Sequence, residues 1–184
     1  NATLNVQADL TLDIQHIAVA GALDGTGVLT FPHQMTWSYG FLNNTLILTN
    51  TAVADITGML QITGTLVNHG TVNCAADVPF SSTGNILNHG TFHLTGDYTL
   101  GGSSPYYPAG MFDNSGLLDK TCTGTTRLHL ELNNLPGGML SVQEGTLQVA
   151  RFDNEGTANI AADAILTVQG GTNLASGLVA GNGL

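Results

Sequence analysis

Apolar and polar residues alternate along this chain in runs of only three to five, as in "TVNC", "TFHL", "GTLQVA", "TANIA" and "AILTVQGG". Between the runs stand Gly, Asn or Asp. A period of two with such punctuation predicts short strands joined by tight corners. No stretch of a dozen residues keeps a helical period. The expected class is all-β, with helix essentially absent.

The runs recur. "LVNHGTVN" at 66–73 is followed twenty residues later by "ILNHGTFH" at 86–93. Anchoring on the asparagine gives Asn68, Asn88, Asn114, Asn134 and Asn154, in steps of 20, 26, 20 and 20. Earlier anchors fall at Asn43 or Asn44, at Asp24 and at Asn5, and a later one at Asn173. Two places before the anchor, Phe41, Leu66, Ile86, Phe112, Leu132 and Phe152 form one apolar column. A unit this short cannot bury its apolar face alone, but stacked units can. The pattern therefore predicts a right-handed parallel β-helix (β-solenoid) of about nine turns of roughly 20 residues, with turns about 4.8 Å apart. The five asparagines should make a ladder at one corner, because Asn tolerates left-handed backbone and its amide can bond the turns above and below. The glycines at 70, 90, 116 and 156 should supply a second permissive position. We read 1–184 as one solenoid domain, irregular over 1–65 and regular over 66–184, within a longer repetitive chain.

Composition narrows the partners. Charged residues make up 9% of the 184, and Lys120, Arg127 and Arg151 face thirteen acids for a net charge of −10. A chain so acidic, without a basic patch, is not expected to bind nucleic acid or an anionic membrane surface. No apolar run approaches the ~18–20 residues of a membrane span. The opening "NATLNVQADL" has no initiating Met and no signal-peptide pattern, so a mature or excised piece is expected. Cys74 and Cys122 make neither a disulfide framework nor a zinc motif. Two turns apart, about 10 Å, they should remain unbonded. No cofactor motif appears.

The stretch "FDNSGLLDKTCTGTTRLHLELNNLPGGMLSVQEGTLQVARFDNEGTANIAADAILTVQGG" resembles the repeats of large bacterial surface proteins. Those adhesin- and autotransporter-like chains carry units of the form F-x-N-x-G-T…G-T-L-x-V. The close "LASGLVAGNGL" is similar to the G-x-G-x-L end of such units. The likeness covers residues 66–184 and is weaker over 1–65. It implies a parallel β-helix with an extracellular or cell-surface location. It does not specify an activity, since stalks, adhesins and passengers share the repeat style.

Four groups of residues invite a chemical reading. His69 and His89 stack in adjacent turns, and His93 would complete a three-nitrogen metal site; against it, Ser115 and Glu155 continue the column and His93 lies on the next strand. Asp113 and Asp153 share a column but sit two turns apart with Asn133 between, too far for a hydrolase pair. Thr71, Thr91, Leu117 and Thr157, with Asn73, His93, Asp119 and Asn159 two places on, break the Thr-x-Thr array that ice binding requires. Finally, the long turn contains "TLGGSSPYYPAGM". Its Tyr106 and Tyr107, bracketed by prolines, can stack on a sugar or anchor a protein neighbour, or fold back over an apolar strip. Trp37 and Tyr39 in "MTWSYG" are second binding candidates, with packing as the other reading.

The expected function is a non-enzymatic structural or adhesive module of a bacterial surface protein or filament. The alternatives are a glycan-binding module and a carbohydrate-active β-helix enzyme. Both terminal segments keep the strand grammar, so the expected partners are copies of itself or adjoining repeats end to end, with a glycan or surface protein as a further ligand.

Overall fold

The computed structural model describes residues 2–79, 83–173 and 177–181. Among these are twenty-two strands and no helix. Strand pairs are parallel throughout, as in Thr65–Asn68 with Asn85–Asn88 and Thr71–Cys74 with Thr91–Leu94. The strands stack in three columns, giving a parallel β-solenoid of about nine turns of roughly twenty residues.

The first face runs through Val28–Phe31, Thr45–Leu48, Thr65–Asn68, Asn85–Asn88 and Met111–Asn114 to 131–134 and 151–154. The second includes Val53–Ile56, Thr71–Cys74, Thr91–Leu94, Leu117–Lys120, Met139–Val142 and Thr157–Ile160. The third begins at Ala2–Asn5 and continues through 21–24 and 40–42 to Leu60–Ile62, then from Thr99–Gly101 to 125–128 and 146–149. Four-residue strands with alternating burial dominate the first two faces. One side chain in two points inward, so each rung contributes two residues per face to a continuous apolar stack. Leu66, Ile86, Phe112 and Leu132 form such a stack, and Phe92 meets Phe112 edge-on at 5.2 Å across two faces.

The asparagine ladder stands as expected in the regular turns. The Asn68 side-chain amide donates to Oδ1 of Asn88 at 2.8 Å, and the link repeats from Asn88 to Asn114, Asn114 to Asn134 and Asn134 to Asn154. The second amide hydrogen goes to a backbone carbonyl of the next turn, at Thr91, Leu117, Met139 and Thr157. All five side chains are buried.

The conformational reason is different from the expected one. No ladder residue has positive φ; Asp163 is the one described non-glycine residue that does. Asn is favoured here for its two donors and its acceptor, all used in a dry corner. Nor do Gly70, Gly90, Gly116 and Gly156 adopt positive φ. They are small because rungs approach closely: a Cβ on Gly90 would lie 2.2 Å from the Gly70 carbonyl oxygen.

The early anchors require correction. Leu48, not Asn43 or Asn44, pairs with Asn68, and Phe31 pairs with Leu48. Leu46 and Leu29 continue the Leu66 column, whereas Phe41 pairs with Gln61 on the third face. The series Asn5, Asp24, Asn43 is itself a stacked column: Asn5 pairs with Asp24, and Thr63 Oγ1 donates to Asn43 Oδ1 at 2.7 Å. It lies at the corner between the third and first faces, while the ladder lies between the first and second. Both of these corners carry polar residues, so an anchor on Asn alone passes from one to the other without a break in spacing.

Candidate functional site

The longest turn leaves the third face after Thr99–Gly101 and returns at Met111–Asn114. Its extra residues project outward, and the ladder link across this turn is as short as the others. Within the loop, Tyr107 N–H donates to the Ser104 carbonyl at 3.0 Å and Tyr106 N–H to Ser104 Oγ at 3.2 Å. The prolines and this tight turn hold Tyr106 and Tyr107 with 81% and 77% of their surface exposed. They do not fold back onto an apolar strip.

The tyrosines border different recesses. Tyr107 stands over a groove of about 590 Å³ whose other walls include Met59, Asp77, Thr99 and Ser103. Asp77 Oδ1 accepts the Thr99 backbone N–H at 2.8 Å, which fixes the carboxylate at the groove wall. Tyr106 lines a second hollow of about 620 Å³ with Pro105, Pro108, Arg151 and Gln169. Arg151 lies 3.2 Å from Asp153 and 3.6 Å from Glu131. One side of the loop thus offers a carboxylate and hydroxyls, the other an arginine.

The loop's root is held by a residue the sequence did not single out. His129 is buried, its Nδ1 lies 3.1 Å from the Gly102 carbonyl oxygen, and its own carbonyl accepts the N–H groups of Gly102 and Ala109. The signal for it is weak. "RLHLEL" alternates without a gap, yet the strand Thr125–Asn134 shifts register between Leu128 and Glu131 as it turns from the third face to the first.

Trp37 is a correction. Its side chain is 2% exposed and its indole N–H donates to the Tyr39 carbonyl at 3.2 Å, so it belongs to the core and not to a contact surface. Tyr39 is partly exposed and meets Phe41 edge-on at 6.3 Å. It lies on strand Gln34–Leu42, whose Gly40 pairs with Leu60, the residue after Met59 of the Tyr107 groove.

The histidines separate into two settings. His69 and His89 stack with ring centroids 4.9 Å apart, and His89 Nδ1 lies 2.7 Å from Ser115 Oγ. His93 sits on the second face and its Nδ1 lies 3.3 Å from Asp119 Oδ2, which leaves it apart from the stacked pair. Among the described residues no group of three His, Cys, Asp or Glu side chains could hold a metal ion. Asp113 is bonded by Asn133 Nδ2 at 2.8 Å, the residue that separates it from Asp153 in the column.

Both cysteines are free. Cys74 lies wholly inside, and burial pushes its thiol up to about 11. The neighbouring Tyr98 hydroxyl donates to the Cys74 carbonyl, and burial raises its pKa as well. Cys122 is partly exposed, at the corner after Leu117–Lys120.

Comparison with family models, with curated proteins and with solved structures finds no match for this chain.

Proposed function

We propose that this chain is a non-enzymatic structural and adhesive module of an extracellular or cell-surface assembly, a rod of stacked turns that joins others end to end and carries its contacts on a side loop. The repeat style of bacterial surface proteins supports the setting. One observation supports the assembly: the apolar columns of the interior continue through the outermost described rungs. Leu4 and Leu10 are 37% and 39% exposed, while Leu23 and Leu29, paired with them one rung in, are buried. At the other end Val168 and Val179 are 40% and 50% exposed against buried Val149 and Ala158. Apolar cross-sections of this kind favour continued strand pairing. Further solenoid turns, from the adjoining polypeptide or another copy, supply the matching surface.

The purified chain should then elongate with concentration in light scattering and appear as extended particles by electron microscopy. A monomer that persists at high concentration without detergent would count against end-to-end assembly. A glycan-binding module is the second reading, favoured by Tyr107 over a groove that also presents Asp77, Thr99 and Ser103. A glycan array separates the two.

A further inference from the structure

The inward column of the second face reads Cys74, Leu94, Lys120, Val142 and Ile160. A lysine stands in an aliphatic stack, with none of its side chain exposed. Burying an ammonium costs several kcal/mol unless its donors are used. Lys120 Nζ donates to the carbonyls of Cys122 and, at 2.9 Å, Glu144. Its third near neighbour is the Cys122 sulfur, at 3.2 Å. A sulfur is a weak acceptor, where a hydroxyl would satisfy the donor better. The sulfur is itself confined, 3.4 Å from the Gly96 carbonyl oxygen and 3.6 Å from the Thr126 hydroxyl. Yet Cys122 remains partly open to solvent, so a small oxidant reaches the sulfur while the nitrogen waits behind it.

We propose that Lys120 and Cys122 form an oxygen-bridged covalent crosslink, Nζ–O–Sγ, when the protein meets dioxygen. The step balances as an amine, a thiol and one dioxygen giving the bridge and one water. Written from the ammonium, the balance also releases one proton. One N–H and the S–H bond break, the O–O bond is cleaved, and N–O and O–S bonds form. The second oxygen atom leaves as water with the two hydrogens. Sulfur and nitrogen each give up two electrons, and the two oxygen atoms accept the four. An inserted oxygen spans most of the 3.2 Å already separating the atoms, so the corner need not rearrange. The product also removes the buried charge, since a nitrogen bonded to oxygen is a poor base. A thiol caught in this way is withheld from the irreversible end of its oxidation ladder.

Mass spectrometry of the full chain, purified in air without reductant, tests the crosslink. The intact mass should gain one oxygen and lose two hydrogens. After denaturation Cys122 should resist alkylation and trypsin should fail to cut after Lys120. Cleavage after Arg127 and Arg151 and alkylation of Cys74 serve as internal controls. Dithiothreitol should restore both the cut and the thiol, and an anaerobic preparation should lack the change. Lys120→Met should abolish it and leave Cys122 open to alkylation or overoxidation. A free Cys122 thiol after air exposure would overturn the proposal. So would a sulfinic or sulfonic acid with Lys120 still cleaved, a disulfide between copies, or loss of two hydrogens with no oxygen gained. The unmodified sequence decides the matter alone, so the variant need not fold well.

Discussion

The amide of Asn88 donates to Oδ1 of Asn114 at 2.8 Å although the two residues are 26 apart in sequence, and the link from Asn68 to Asn88 spans 20 at the same length. The longer turn therefore leaves the ladder undisturbed. Asn114→Ala in the middle of the ladder removes two donated bonds and takes the acceptor from one of the Asn88 amide hydrogens. The variant should lose about 1–3 kcal/mol of stability, with the larger part from stranded buried groups. Urea denaturation of the variant against the parent measures this.

Two glycines give opposite expectations for the same substitution. Gly90→Ala places a Cβ 2.2 Å from the Gly70 carbonyl, so neighbouring rungs must part. A cost of about 1–3 kcal/mol is expected from overpacking, together with faster amide exchange in the flanking strands. Gly137→Ala meets no atom within 4 Å and changes only a residue with φ of 86°. Its cost should be the backbone one, about 1–2 kcal/mol, with exchange in neighbouring rungs unchanged. Equal exchange patterns for the two would contradict close packing at Gly90.

Stability should fall in alkali. The folded Cys74 thiol holds its proton up to about 11, against 9.0 in the open chain. Between those values the unfolded state binds fewer protons, so the slope of unfolding free energy with pH is negative. The contribution is fully present below pH 9 and is lost on the way to the folded value, about 2–3 kcal/mol at most. Tyr98, also raised by burial, acts in the same direction at higher pH. Cys74→Val should flatten the thiol part of the decline in melting temperature between pH 8 and 11.

Tyr106→Ala and Tyr107→Ala touch no core, and each should change stability by less than about 0.5 kcal/mol. If the loop carries adhesion, the variants should lose surface or glycan binding at unchanged melting temperature. Their separate recesses predict unequal losses. Unaltered binding by the double variant would remove the loop from the adhesive surface.

Period-two runs and the spacing of the asparagines made the solenoid and its ladder legible, because stacked turns repeat the same environment at the same residue offset. The first turns were harder to read. Leu48 and Phe31 occupy the ladder column with apolar side chains, so the Asn anchor passed to Asn43 at another corner. Trp37 stood open between contact and packing for a related reason: in "MTWSYG" the inward set is Met35 and Trp37, and the alternation breaks at the register shift beyond Val19 on the paired strand. Lys120 and His129 carry no sequence flag. Their burial depends on what the turns above and below place beside them, which a residue count along one chain does not show.

The ladder also has a sense. Asn68, Asn88, Asn114 and Asn134 each give a hydrogen to the asparagine of the next turn, so Asn88, Asn114, Asn134 and Asn154 each receive one from the turn before. The five amides therefore align as a row of dipoles that polarise one another. The rod carries an electrical direction along its axis, and its two ends are unlike. If copies join end to end as proposed, reversing one would oppose the two rows, and a single orientation keeps them in concert.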